Sequence, residues 1–168
     1  MKKIELFYQK FVLNLKTNLI FLFFTTIFFS IDRFTKFQII EKFSDRKFFI
    51  NDYLNLDLIW NTGIGFGLLS FDQSLIYTSI TLFIGIVIII LFYIAIIGNV
   101  SEKIMYSLII GGAIGNFYDR LAFNAVPDFI DLHYNNFHWF TFNFADIFIT
   151  IGIIFLLTKS IFVKNDTV

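Results

Sequence analysis

The chain has 168 residues, of which 57% are hydrophobic and only 15% charged, and its mean hydropathy is +0.76. This length suits one domain, and this composition excludes an ordinary soluble protein and indicates a membrane protein. The formal net charge is zero, so nothing indicates a nucleic-acid partner. The lack of cysteine excludes disulfides, thiolate nucleophiles and cysteine metal sites.

Four mostly uncharged segments are predicted to cross a membrane as α-helices, because each approaches the ~20 apolar residues that a bilayer requires. No small-x-small cleavage site follows the first segment, so we expect it to be retained rather than removed as a signal peptide. The fold class predicted from this pattern is an all-α membrane protein with a small extracytoplasmic β-sheet or loop section between helices 1 and 2. The predicted spans are about 17–36, 75–97, 104–121 and 143–162.

The distribution of lysines predicts on which side of the membrane the two termini lie. Lys2, Lys3, Lys10 and Lys16 precede the first span, which favours a cytoplasmic N-terminus. Four spans then return the C-terminus to the same side. The polar section 37–74, the loop 122–142 and most of the acidic residues lie together on the extracytoplasmic side.

The polar section between the first two spans shows a period of two. Leu54, Leu56 and Leu58 alternate with polar residues, which predicts a short amphipathic strand. Glycines at alternate positions in the following segment, 61–67, suit a turn that approaches another backbone or a ligand. Their spacing does not match a dinucleotide-binding fingerprint. We expect section 37–74 to lie at the membrane interface as a small sheet that covers the functional site.

The predicted third span carries a polar stripe. Gly112, Asn116 and Arg120 are spaced i, i+4 and i+8 and therefore share one helical face. Close helix packing through Gly111 and Gly115, with polar side chains as glue, explains the glycines equally well. It does not explain a full charge at Arg120 in the same stripe, and ionisable groups at membrane depth indicate function.

Two local pairs have structural explanations that are compatible with function. Asn143 as N-cap of the fourth span, with Asp146 three residues on, resembles a capping box, which would hold that carboxylate in place and favour its ionisation. Asp32 and Lys36, spaced i, i+4, predict an ion pair at the outer end of the first span. That pair could also position the segment 51–67 over the site.

Asp128 and Asp146 are the candidate catalytic groups, because each ends an apolar segment at the outer ends of the third and fourth spans. The alternative for Asp128 is an ordinary surface-loop aspartate. If the two carboxylates meet, they cannot both ionise, so the pair holds one proton. One then acts as base on a water while the other polarises a carbonyl, which hydrolyses an amide without a metal. His133 and His138, five residues apart in a loop, do not match a helical metal pair, and we interpret them as interfacial or structural.

Five segments resemble, in order and at matching intervals, the signature blocks of the lipoprotein signal peptidase (signal peptidase II) family. With the predicted spans, the resemblance covers roughly residues 17–160. Pro127, Phe140 and Ile64-Gly65 depart from the residues that are frequent in the family, which affects the loop geometry and leaves the aspartates unchanged. The blocks read DRFTK at 32–36, NTGIGF at 61–66, GGAIGNFYDR at 111–120, VPDF at 126–129 and FNFAD at 142–146.

The resemblance implies an intramembrane aspartic endopeptidase of the bacterial plasma membrane. It would cleave signal peptides from prolipoproteins just before a cysteine that carries diacylglycerol, and globomycin would inhibit it. It also implies a catalytic dyad at Asp128 and Asp146, support from Asp32 and Lys36, and a structural role for Asp119. We further expect a monomer in contact with membrane lipid, with no cofactor, metal or nucleic acid. The implied substrate-site and inhibitor-site residues are Asn61, Gly112, Asn116, Arg120, Asn143 and Ala145.

Two other classes remain open at this point. A non-enzymatic membrane protein, such as an ion or proton path or an assembly scaffold, could also use aspartates and an arginine at membrane depth. A transporter would favour charges near the middle of the bilayer and internal repeats, whereas here the acids lie at the ends of spans and no repeat is visible. An acyl- or phospholipid-transferring enzyme would need a serine or histidine at the site.

Overall fold

The computed structural model describes residues 2–44, 46–63, 73–135 and 137–165. This part of the chain forms long helices and an antiparallel sheet, with one turn of 3₁₀-helix at Val100–Glu102. The helices are α1 (Lys2–Leu13), α2 (Leu15–Phe43), α3 (Gln73–Ile97), α4 (Lys103–Phe123) and α5 (Phe144–Asn165).

Three helical segments are long and apolar enough to cross a membrane, judged by length and composition: Leu15–Phe43, Leu75–Ile97 and Phe144–Phe162. They coincide with the first, second and fourth predicted spans. Helix α2 continues seven residues beyond position 36, where the first predicted span ends. Asp32 and Lys36 do not end the helix, because they are buried and paired rather than facing water. Helix α1 was not predicted.

Helix α4 forms where the third span was predicted, but it is not among these three apolar helices. It packs against α2, α3 and α5, so much of its surface faces protein. A Cβ atom on Gly111 would lie 2.9 Å from the carbonyl oxygen of Thr25 in α2, and one on Gly115 would overlap the Asp32 carboxylate. The predicted close packing through Gly111 and Gly115 is therefore confirmed. The small and polar residues that lower the hydropathy of α4 are tolerated because they face neighbouring helices rather than lipid.

The other end of the bundle contains a buried cation that sequence reasoning did not identify. Lys103, at the start of α4, is only 3% exposed. Its ammonium donates hydrogen bonds to the carbonyls of Ala95 and Ile96 at 2.6 and 3.0 Å, and to Asn18 Oδ1 at 2.6 Å. It thereby satisfies carbonyls at the end of α3 that have no partner within the helix. The apolar core beside it packs Phe21 against Phe92 and Ile110.

The sheet has the strand order β1-β2-β3-β4, and every neighbouring pair is antiparallel. The strand predicted over 54–58 is confirmed as part of β2. The prediction of a loop over 122–142 is wrong, because this segment supplies half of the sheet. Its first strand begins with four consecutive buried residues, so it lacks the alternation that reveals a half-buried strand. The strands are β1 (Phe48–Asn51), β2 (Leu54–Asn61), β3 (Val126–Tyr134) and β4 (Phe137–Phe142).

A short turn delivers the chain from α4 into β3. Asn124 adopts a left-handed conformation, with φ of 54°, which ends the helix. Pro127 pairs with Trp60 in the part of β3 that has β2 as its only partner strand, where a missing N–H is tolerated. Gly63 has a φ of 73°, as a turn requires. The predictions for residues 64–67, including Ile64, Gly65 and Gly67, lie outside the described residues.

Candidate active site

Asp128 lies on β3 and is 4% exposed. Each of its carboxylate oxygens accepts a hydrogen bond from an asparagine. Asn61 Nδ2 donates to Oδ2 at 2.8 Å, and Asn143 Nδ2 donates to Oδ1 at 2.6 Å. Asn61 ends β2 and Asn143 precedes α5, so three separate segments converge on this carboxylate.

Asp146 lies in the first turn of α5, where the predicted capping box is confirmed. The Asp146 backbone N–H donates to Asn143 Oδ1 at 3.2 Å, and the Asn143 backbone N–H donates to Asp146 Oδ2 at 3.1 Å. The second oxygen, Oδ1, accepts a hydrogen bond from Asn116 Nδ2 at 2.8 Å. Both oxygens are thus held by donors, while the side chain remains partly exposed.

Asn143 bridges the two carboxylates. Its side-chain amide donates to Asp128, its backbone N–H donates to Asp146, and it is itself fully buried. The negative charge of one aspartate therefore acts on the other at short range. The structure thus brings together two residues that lie eighteen positions apart in the sequence.

The environment of Asp128 favours its protonated form. The pKa of Asp128 is raised to about 6, mainly by burial and in part by the negative charge of Asp146. The hydrogen bonds from Asn61 and Asn143 oppose this rise, because they stabilise the ionised carboxylate. Near neutral pH, Asp128 is therefore poised to hold or release a proton.

The buried ammonium of Lys36 connects to Asp146 through a chain of hydrogen bonds. Lys36 is fully buried and donates to Asp32 Oδ2 at 2.9 Å, Asn116 Oδ1 at 2.7 Å and Asp119 Oδ2 at 2.7 Å. Because the amide oxygen of Asn116 accepts from Lys36, its amide nitrogen must point toward Asp146. Lys36 therefore orients a candidate catalytic carboxylate through one intervening side chain.

The predicted ion pair between Asp32 and Lys36 is confirmed, and its wider connections run to helices α4 and α5. Asp32 Oδ1 accepts a hydrogen bond from the backbone N–H of Ala145 at 3.1 Å. Asp119 binds Lys36 and also pairs with Arg33, whose guanidinium lies 4.5 Å from the centre of the Tyr118 ring. Sequence reasoning missed Arg33, although it adjoins Asp32 in the same block.

The remaining predicted residues divide into two groups. A Cβ atom on Gly112 would lie 2.5 Å from the Ala145 carbonyl oxygen, so both residues bring α4 and α5 close together. The Arg120 guanidinium is half-buried and donates to the Asn116 carbonyl at 3.0 Å, one turn back in its own helix. Substrate contacts for Gly112, Ala145 and Arg120 stay predictions.

An apolar cavity of about 270 Å³ opens beside Asp146, between α5 and the sheet. Phe140, at a position where the sequence departs from the family pattern, forms part of its wall. Its apolar lining suits a hydrocarbon or an apolar peptide segment, placed next to a carboxylate. The other lining residues are Leu132, Phe142, Ile147, Thr150 and Ile151.

Comparison with known proteins identifies the family. The sequence model of the signal peptidase (SPase) II family matches residues 24–162. The chain belongs to this family. It is 47% identical over 156 residues to a lipoprotein signal peptidase of Pelagibacter ubique (strain HTCC1062), covering 91% of the chain and 94% of that protein. A second lipoprotein signal peptidase, from Francisella tularensis subsp. novicida (strain U112), is 42% identical over 125 residues, which is 70% of the chain and 76% of the relative.

Solved structures agree with this assignment. A bacterial membrane enzyme determined at 2.3 Å superimposes with a TM-score of 0.69 at 29% identity, covering 88% of the chain and 91% of that structure. A second, determined at 1.9 Å, has a TM-score of 0.68 at 30% identity, covering 83% and 90%. The chain is therefore a peptidase of a membrane-enzyme family, and the family resemblance stated from its five sequence blocks is confirmed.

Proposed function

We propose that the chain removes the signal peptide from diacylglyceryl-modified prolipoproteins by hydrolysing the peptide bond before the lipid-modified cysteine. The observation that carries this proposal is the carboxylate pair bridged by Asn143, within a member of the signal peptidase II family. The apolar cavity beside Asp146 suits the hydrocarbon part of such a substrate. The name of the relatives, lipoprotein signal peptidase, supports the same substrate class.

In the proposed mechanism, Asp128 and Asp146 share one proton. The raised pKa of Asp128, about 6, makes it the carboxyl that holds this proton. Asp146, held at the N-terminus of α5, takes a proton from the attacking water. Asp128 donates a hydrogen bond to the scissile carbonyl as the tetrahedral intermediate forms. A proton then passes to the leaving amine, the C–N bond breaks and the shared-proton state is restored.

We propose that the asparagines position both the dyad and the substrate. Asn61 is exposed at the end of β2 and donates to Asp128, so it can contact a bound peptide without moving. Arg120 is half-buried, and its charged group can reach the polar end of a bound substrate. Asn116 and Asn143 are buried and hold the carboxylates. Gly112 and Ala145 are buried against each other, and their contact with substrate is proposed on the family resemblance alone.

We propose that the chain is a single membrane protease domain with four spans, α4 being the third. Its 21 residues match the length of a span, and packing against α2, α3 and α5 compensates its polar content. The lysines before the first span favour a cytoplasmic N-terminus in a bacterial inner membrane. The site would then lie near the extracytoplasmic face, beside the sheet that β1 to β4 form together. A monomeric, globomycin-sensitive enzyme in contact with lipid is proposed on the family resemblance.

The test is cleavage of a diacylglyceryl-modified prolipoprotein by the purified chain in detergent micelles. Asp128→Asn and Asp146→Asn are each expected to lower the cleavage rate by at least about 10³-fold, because each removes one half of the acid–base pair. The matched control is Asp52→Asn, an exposed aspartate in the β1–β2 turn, which is expected to cleave normally. Normal processing by either dyad variant would refute the mechanism.

A further inference from the structure

A second polar cluster lies on the sheet, three residues along β3 from Asp128. Asp131 and His133 are two positions apart on this strand and project from the same face. His138 lies directly opposite His133 in the β3–β4 register, and the two imidazole rings stack with their centres 5.3 Å apart. His138 Nδ1 lies 2.8 Å from Asp131 Oδ1. One ligand atom from each residue lies within 4.8 Å of the others.

The donors in this cluster define a class of ligand. The chain has two histidines and no cysteine, and both imidazoles converge on one carboxylate. Two imidazole nitrogens and one carboxylate oxygen are ligands that Zn²⁺ prefers, whereas Mg²⁺ and Ca²⁺ prefer oxygen alone. The spacing of five residues between the histidines does not indicate a metal site in the sequence. The histidines come together only because the β3–β4 register places them opposite each other.

An independent observation also indicates a missing polar partner. Asn55 on β2 is 4% exposed, and its amide nitrogen lies 3.3 Å from Asp131 Oδ2 and 3.2 Å from His133 Nδ1. Its amide oxygen is buried and, among the described residues, has no hydrogen-bond donor. An unsatisfied buried acceptor costs free energy. This unused acceptor belongs to the same amide group whose nitrogen contacts Asp131 and His133.

Both oxygens of the Asp131 carboxylate have partners, and His138 Nδ1 lies 2.8 Å from Oδ1 and 2.9 Å from Oδ2. Lys47 and Asn55 both approach Oδ2, at 3.1 and 3.3 Å, and Asp57 balances the charge of Lys47 at 3.3 Å. Oδ1 faces His138. The partners on Oδ2 would thus act as outer-shell groups that orient the ligand oxygen. Ligand atoms on tetrahedral Zn²⁺ lie about 3.3 Å apart. His138 Nδ1 lies closer than this to Asp131 Oδ1, so the His138 side chain, which is 46% exposed, moves away from the carboxylate when the metal binds.

We propose that Asp131, His133 and His138 form a binding site for a zinc-class divalent transition metal, which clamps β4 onto β3. The metal joins the two strands of the hairpin and, through Asn55, involves β2. Because β3 also carries Asp128, metal binding stiffens the strand on which a candidate catalytic carboxylate lies. The site does not depend on the proposed peptidase activity.

The experiment titrates the purified full chain, carrying an affinity tag without histidine, with zinc chloride in detergent micelles, followed by calorimetry. We expect one Zn²⁺ per chain and an unfolding temperature that rises with zinc and falls back with EDTA. Excess Mg²⁺ should not compete, because the site supplies imidazole nitrogen. Saturation at one ion that Mg²⁺ displaces, or no saturable binding at millimolar zinc, would overturn the proposal.

Variants separate this site from the catalytic carboxylates. His133→Gln and His138→Gln are each expected to weaken zinc affinity by about 100-fold or more, because each removes a ligand. Asp128→Asn and Asp146→Asn are expected to bind zinc as the parent does. If His133→Gln fails to fold, His138→Gln provides the test, because His138 is half-exposed. Unchanged affinity in His138→Gln, or loss of binding in the dyad variants alone, contradicts the assignment.

Discussion

Lys36→Met tests whether the buried ammonium holds the site together. The substitution replaces a fully buried cation with an apolar side chain of similar length and removes three hydrogen bonds. Breaking a buried ion pair costs about 3–5 kcal/mol, because the remaining charge has no partner. Here Asp119 keeps Arg33, and Asp32 keeps the backbone N–H of Ala145. We therefore expect a loss near the lower limit, about 3 kcal/mol of unfolding free energy.

The same substitution should also slow catalysis. Without Lys36, the amide of Asn116 has no cation to fix its oxygen, so its hydrogen bond to Asp146 loses its orientation. We expect kcat to fall about 10- to 100-fold with a smaller change in KM, because the effect is on the positioning of a catalytic group. The assays are equilibrium unfolding in mixed detergent micelles, followed by circular dichroism, and prolipoprotein cleavage.

Two further variants make this result decisive. Lys47→Met removes a lysine that also pairs with two carboxylates but is 43% exposed, so it should cost less than about 1 kcal/mol. Adding Asp32→Asn to Lys36→Met removes a stranded charge and should recover about 1 kcal/mol or more. If Lys36→Met were as stable and active as the parent, the argument from the buried network would be refuted.

Three further predictions concern the dyad and the helix interface. Asn61→Ala removes a hydrogen bond that lowers the pKa of Asp128. The alkaline limb of the pH profile of kcat/KM should therefore move up from about 6 by roughly half a unit. A shift of this limb to lower pH would contradict the prediction. Gly112→Ala forces a Cβ to within 2.5 Å of a carbonyl oxygen of α5 and should cost about 1–3 kcal/mol of unfolding free energy. Gly85→Ala, whose Cβ meets only a phenylalanine ring at 3.2 Å, should cost less, and equal losses would count against the close-packing argument. Asn143→Ala should lose about 1 kcal/mol of unfolding free energy, because the helix cap is lost, and should also lose activity. Asn143→Ser should restore the stability but not the activity. Activity in both variants would exclude the bridging role of Asn143.

Local patterns in the sequence were sufficient for most of the helices. Long uncharged runs predict helices at 75–97 and 143–162, because hydropathy and length are properties of neighbouring residues. The alternation of Leu54, Leu56 and Leu58 predicts β2 for the same reason. Helix α2 extends beyond the predicted first span, whose end was placed at 36 because charged residues in sequence suggest a polar segment. In the fold Asp32 and Lys36 neutralise each other inside the protein.

Contacts between distant segments were decided only by the tertiary structure. Residues 126–142 look like a loop because the start of β3 is buried on both faces and shows no alternation. Their strand structure depends on pairing with β2, some seventy residues earlier. The opposition of His133 and His138 likewise depends on the register of one hairpin.

The sequence by itself determined which chemical groups this protein has and where along the chain they occur. It identified Asp128 and Asp146 as a candidate pair, and five sequence blocks as a family resemblance. The fold decided how those groups are connected: Asn143 bridges the carboxylates, and Lys36 orients Asn116 toward one of them. The physical reason is that residue type and local periodicity are encoded in neighbouring positions. Burial, hydrogen bonding and pKa arise only when distant segments come together.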